Sequence, residues 1–191
     1  MEDDYYSIDS ILSENQKIQC TFKVDIPDMG HLDGGHERDI KAQSKIQLPL
    51  WLAFILIYSD YVDFAVPTPF SSRVRNALNA EAKSVRLSAL VGAGGHWYGF
   101  GKIIMRLLDD AQANEMSDLL TKTFRDRLAE VIDQAQHFAA LGPAGGGGQS
   151  GDSALAFREG LEVTERELFS LAQESAKKTK QWYESTDRLR R

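Results

Sequence analysis

Apolar and polar residues alternate through Ile18-Gln19-Cys20-Thr21-Phe22-Lys23-Val24, the period of a half-buried strand built from β-branched and aromatic residues. Pro27 ends that pattern, Asp9 to Asn15 fits one short helical turn, and Lys45 to Leu48 fits a second strand. Between the strands, residues 28 to 43 hold three glycines and many charges, which reads as a long, mobile surface loop. The period changes at Pro49, which is tolerated at a first helical position. Leu50 to Tyr58 is apolar nearly all round, the pattern of a buried helix. Tyr61 to Pro67 reads as a short extended link, and Phe70 to Lys83 as a helix capped by Ser71 or Ser72. A glycine run at Gly92 to Gly95 precedes a further helix from about His96 to Leu108.

Two long amphipathic helices follow. Met116, Leu120, Phe124, Leu128, Val131, Ala135 and Phe138 recur at steps of four and three within Ala111 to Phe138, drawing one apolar stripe. Phe157, Leu161, Leu168, Leu171 and Trp182 do the same within Ser153 to Ser185, with Thr164 and Ser175 weakening the stripe. At 1.5 Å rise per residue the second rod reaches about 48 Å, longer than a small monomeric domain requires, so part of it is expected to pack on another chain. Residues 142 to 151 are glycine-rich linker that lets the two helices return as a hairpin. The expected fold is mainly α with a small β-rich N-terminal module (α+β). Residues 1–47 form the β-rich module and residues 48–191 a helical bundle domain.

Composition sharpens this reading. The net charge of -6 is concentrated at the front: residues 1 to 47 hold ten acids against five Lys or Arg. Such a balance argues against autonomous duplex binding, which rests on clustered cations. A lone cysteine, Cys20, excludes an intramolecular disulfide and a cysteine-based zinc framework. The acidic start shows no export signal, and the longest apolar run is about half the roughly 20 residues of a membrane helix, so a soluble protein is expected. Six of the last fifteen residues are basic. They complement a helix dipole, and contact with nucleic acid or an acidic partner is the other reading.

Candidate chemistry fails in detail. Ahead of Lys102 a Walker loop needs glycine where His96 stands and serine or threonine where Ile103 stands. The dinucleotide pattern opened by Gly99 and Gly101 meets Ile104. His31 and His36, with Asp28, Asp33, Glu37 and Asp39, form a metal-like cluster, yet Ile40 occupies the place of the second zincin histidine. Gly148-Gln149-Ser150-Gly151 meets Asp152 where a nucleophile elbow closes on glycine. His96 has no carboxylate at a helical spacing of three or four and reads as a packing residue. Trp97, Tyr98 and Phe100 lack the interleaved cations of a base-stacking platform. No catalytic, cofactor or metal site is expected.

Leu48-Pro49-Leu50-Trp51-Leu52-Ala53 and His96-Trp97-Tyr98-Gly99-Phe100-Gly101, at this separation and with a Leu119-Leu120-x-x-x-Phe124 helix behind them, resemble the third subunit of the GINS replication complex, the Psf-three subunit. The resemblance covers most of the chain in order; residues 28 to 43 and 142 to 151 depart from it. It implies a nuclear, non-catalytic scaffold in a heterotetramer with three other GINS subunits. With the Cdc forty-five protein and the MCM ring, that complex makes the replicative helicase for DNA replication. It also implies that DNA is touched only indirectly or weakly and that no membrane is involved. By position, Leu48, Pro49, Leu50, Trp51 and Leu52 fix the module junction, and Trp97, Tyr98, Gly99, Phe100 and Gly101 form a tightly packed helix start. From periodicity, Met116, Leu120, Phe124, Leu128, Val131, Leu161, Leu168 and Leu171 are the candidate subunit interface. The alternative is a helical interaction adaptor unrelated to replication.

Overall fold

A computed structural model describes residues 6–34, 36–92, 95–141 and 149–189. The chain opens with α1 (Ile8–Glu14), whose first turn is capped by the Ser7 hydroxyl accepting from the Ser10 N–H. Strand β1 (Lys17–Phe22) follows, then β2 (Lys45–Pro49), α2 (Leu50–Tyr58) and β3 (Val62–Phe64). β1 lies between β2 and β3, antiparallel to both, with Ile18 opposite Leu48, Cys20 opposite Ile46 and Phe22 opposite Val62. The alternation read from sequence places Ile18, Cys20, Phe22, Ile46, Leu48 and Val62 on one buried face. The extended link at Val62 therefore serves as a third strand. Residues 28 to 43 are tied down more than their composition implies. Ile26 and Ile40 exchange backbone hydrogen bonds, Ile40 is buried, and a 3-10 turn spans Gly30–Asp33.

Helices α3 (Ser72–Glu81), α4 (Leu87–Val91) and α5 (Trp97–Ile104) are short, and α6 (Asp110–Leu141) and α8 (Val163–Leu189) are long, with α7 (Gln149–Glu159) between them. The structure divides into two compact units, one comprising Met1–Val74 with Tyr98–Met116, the other Arg75–Trp97 with Ser117–Arg191. In the first, the sheet packs on α2, and the Phe70 and Phe100 rings lie 5.4 Å apart. In the second, Val131, Phe157 and Leu161 form a core joined by Leu168 and Phe169.

Four expectations need correction. Pro49 precedes α2 as its cap, with ψ at 143°, instead of occupying the first helical position. Helix α2 is not buried all round. Leu50 and Ala53 face inward, while Trp51, Ile55 and Tyr58, spaced four and three apart, are exposed. The long second helix is two helices, interrupted at Gly160, Leu161 and Glu162: Glu162 starts a new capping arrangement, and Gly160 leaves room for the Arg86 backbone, 3.1 Å from where a Cβ would sit. Of the linker, Gln149, Ser150 and Gly151 already belong to α7, while residues 142–148 lie outside the described residues. Residues 93 and 94 of the glycine run and the acidic start at residues 1–5 also lie outside them.

Candidate interaction surface

The first unit carries exposed apolar side chains on two helices. Ile8, Ile11 and Leu12 recur at three and four residues along α1, and Trp51, Ile55 and Tyr58 at four and three along α2; all six are exposed. A groove of about 160 Å³ lies here, lined by Glu14, Leu50, Trp51, Phe54, Ile103 and Arg106. The Leu50 N–H at the start of α2 donates to the carbonyl of Gln16, in the link between α1 and β1, at 2.9 Å.

The residues singled out by sequence fall in three places. Of the junction set, Leu48 and Leu50 are buried at the end of β2 and the start of α2, Pro49 and Leu52 are half-buried, and Trp51 faces outward. Trp97, Tyr98, Gly99, Phe100 and Gly101 form the first turns of α5; Trp97, Phe100 and Gly101 are buried. The interface set divides. Met116, Leu120, Val131 and Leu161 are buried within the chain, which corrects their reading as subunit contacts: the same stripe that would meet a partner is consumed by this chain's own core. Phe124, Leu128 and Leu168 are half-buried, and Leu171 is 61% exposed. Beyond Leu171, every described residue from Lys177 to Ser185 on α8 is exposed, including Trp182 and Tyr183, whose rings stand edge to face at 4.9 Å.

The second unit holds a buried polar network that periodicity missed. Arg127 sits buried on α6, its Nε and Nη2 donating to the two Glu165 carboxylate oxygens at 2.7 and 2.9 Å. Its Nη1 donates to the Ala82 and Val85 carbonyls at 2.8 and 2.9 Å, and its guanidinium lies 4.8 Å from the centre of the Phe157 ring. Such a bidentate arrangement, with four of the five N–H donors engaged, is what a buried guanidinium requires. Glu162 and Glu165 exchange backbone-to-side-chain hydrogen bonds at 3.2 and 3.3 Å, a capping box with carboxylates at both positions. The legible signal is Glu162-x-x-Glu165 two residues after Gly160; Arg127 itself gives none. Burial pushes the Glu162 carboxyl above the usual carboxylate range and the Cys20 thiol up to about 11. On the surface, hydrogen bonds from Gln134 and Lys83 hold Glu130 low, and Lys83 is raised in turn.

Among the described residues no group of three or more His, Cys, Asp or Glu is placed to hold a metal ion, and no helix is long and apolar enough to cross a membrane.

Comparison with known proteins gives this geometry a family. Residues 6–58 match the PSF3 N-terminal domain and residues 69–184 match the GINS complex protein helical bundle domain. A protein of Aspergillus fumigatus named DNA replication complex GINS protein psf3 is 39% identical over 184 residues, covering 93% of this chain and 95% of its own length. Proteins of the same name from Schizosaccharomyces pombe and Saccharomyces cerevisiae are 36% and 30% identical, covering 96% and 93% of this chain and 99% and 97% of their own lengths. Matched through both its β-rich front and its helical bundle, the chain belongs to the Psf3 family of GINS proteins.

Proposed function

We propose that this chain is a non-catalytic structural subunit of a nuclear GINS heterotetramer, in which it joins three other GINS subunits in DNA replication. In this reading the assembly works with the Cdc forty-five protein and the MCM ring as the replicative helicase, and DNA is met only indirectly or weakly. The carrying observation is the end-to-end match to fungal proteins named for that replication complex, through both of its modules. Residues 1–47 act as the β-rich module and residues 48–191 as the helical domain. Leu48 to Leu52 set the junction between these modules, and Trp97 to Gly101 set the start of α5.

The exposed surface supports an obligate assembly. Burying a large apolar side chain contributes about 1.5 to 3 kcal/mol, so covering Leu171, Trp182 and Tyr183 on α8 yields enough to hold a partner helix. Phe124, Leu128 and Leu168, half-buried beside the core, extend that contact. Conditional depletion of the chain from its own cells tests the role. Bulk DNA synthesis is expected to stop, to be restored by the wild-type chain, and not by one carrying Leu171→Asp with Trp182→Asp. Unimpaired DNA synthesis after depletion would overturn the proposal.

A further inference from the structure

The joint between α7 and α8 packs two carboxyl side chains against one guanidinium. Glu162 and Glu165 are each only 1% exposed. The charge of Arg127 is committed to both oxygens of Glu165, and its Nη1 donates to the Ala82 and Val85 carbonyls. Glu162 receives the Glu165 N–H on Oε1, while its Oε2 is buried with no hydrogen-bond partner. A carboxylate oxygen stripped of water and left unbonded is costly, whereas a protonated carboxyl avoids the charge. The groups facing Glu162 are Glu165 and Thr164 from α8 and His96 from the segment ahead of α5, and burial raises the carboxyl by more than the Thr164 hydroxyl, the Glu165 N–H and His96 lower it; behind Glu165 stands Arg127 from α6. Glu165 repels a second negative charge, and the one guanidinium is already balanced.

We propose that Glu162 keeps its proton to higher pH in the folded chain than in the unfolded one, so that closing the α7–α8 joint takes up a proton and the joint loosens as pH rises. The direction follows from linkage: a carboxyl that keeps its proton more firmly when folded than when unfolded contributes its full stability at acid pH. That contribution is lost as pH climbs past the unfolded carboxylate range toward the folded value. The raised Glu162 carboxyl agrees with this geometry. Because Glu162 opens α8, the site affected is the turn that orients the long helix.

Urea unfolding of the full chain from about pH 5 to about pH 9, for wild type, Glu162→Gln and His96→Gln, tests the proposal. Relative to Glu162→Gln, the wild-type unfolding constant is expected to rise with pH by up to about tenfold per pH unit until Glu162 ionises. His96→Gln is expected to keep that slope. A Glu162→Gln chain with the wild-type slope would overturn the proposal. So would a slope that vanishes in His96→Gln and survives in Glu162→Gln, since the proton would then reside on the imidazole. Infrared spectroscopy of the wild-type chain alone gives an independent check. The carbonyl stretch of a protonated carboxyl is expected to persist to higher pH in the folded chain than in the unfolded one, and its loss over the same pH range in both would refute the assignment whether or not the variants fold.

Discussion

Replacing Arg127 by methionine keeps the length of the side chain and removes its charge and five N–H donors. Arg127 and Glu165 have side chains only 1% and 2% exposed, so solvent cannot take the place of the lost partner. Breaking a buried pair from one side costs about 3–5 kcal/mol. The Ala82 and Val85 carbonyls also lose their donors, at about 1–3 kcal/mol each if they stay dry. These costs share one cavity and do not add in full, which places the expected loss near 5 kcal/mol. Against a total stability of about 5–15 kcal/mol that is a third or more of the fold. Equilibrium urea unfolding of the full chain, followed by helical circular dichroism, reads the loss. The double variant Arg127→Met with Glu165→Gln should recover part of it, because the uncompensated charge goes as well. By contrast, Lys83→Ala, which breaks the exposed pair with Glu130, should cost under about 1 kcal/mol. An Arg127→Met loss no larger than that of Lys83→Ala, or a double variant weaker than the single, would refute the reasoning.

Other outcomes follow from the same contacts. Trp97→Ala should lose about 3–5 kcal/mol, because Trp97 is wholly buried; a normal unfolding midpoint would contradict its place in the core. Gly101→Asp puts a charge at a buried position of α5 and should lower the yield of assembled complex, with an undiminished yield counting against it. Burial pushes the Cys20 thiol up to about 11 from 9.0, so alkylation near neutral pH should run at least about a hundredfold slower than in the urea-unfolded chain; equal rates would show an open sheet. Ile55→Lys should change chain stability by no more than about 0.5 kcal/mol, since Ile55 is exposed, and should reduce co-purification with partner subunits if the α1/α2 face is covered in the assembly.

Much of the architecture is readable from period alone, and the failures have physical causes. The strand at Ile18 to Phe22 and the stripe of α6 were legible because one face of each is buried by neighbours of the same chain. Helix α2 was misread because its composition is apolar on every side, and periodicity cannot distinguish burial in this chain from burial in a complex. The break at Gly160 is a local signal that a long amphipathic pattern on both sides conceals. Met116, Leu120, Val131 and Leu161 were assigned outward for a related reason: a stripe tells which face is buried, never whose atoms bury it. Arg127 lies in the polar register of α6, and only the fold brings Glu165, 38 positions away, against it. His96 lacks a carboxylate at helical spacing, yet Glu162 comes to face it across the fold.

The central claim is that this chain is one of four subunits in a single particle. The measurement that meets it most directly is co-expression with the three other GINS subunits of the same organism, followed by size-exclusion chromatography with light scattering. One particle is expected, its mass equal to one copy of each subunit, with this chain absent from the monomer fraction. A stable monomer of this chain eluting apart from an assembled remainder would contradict it.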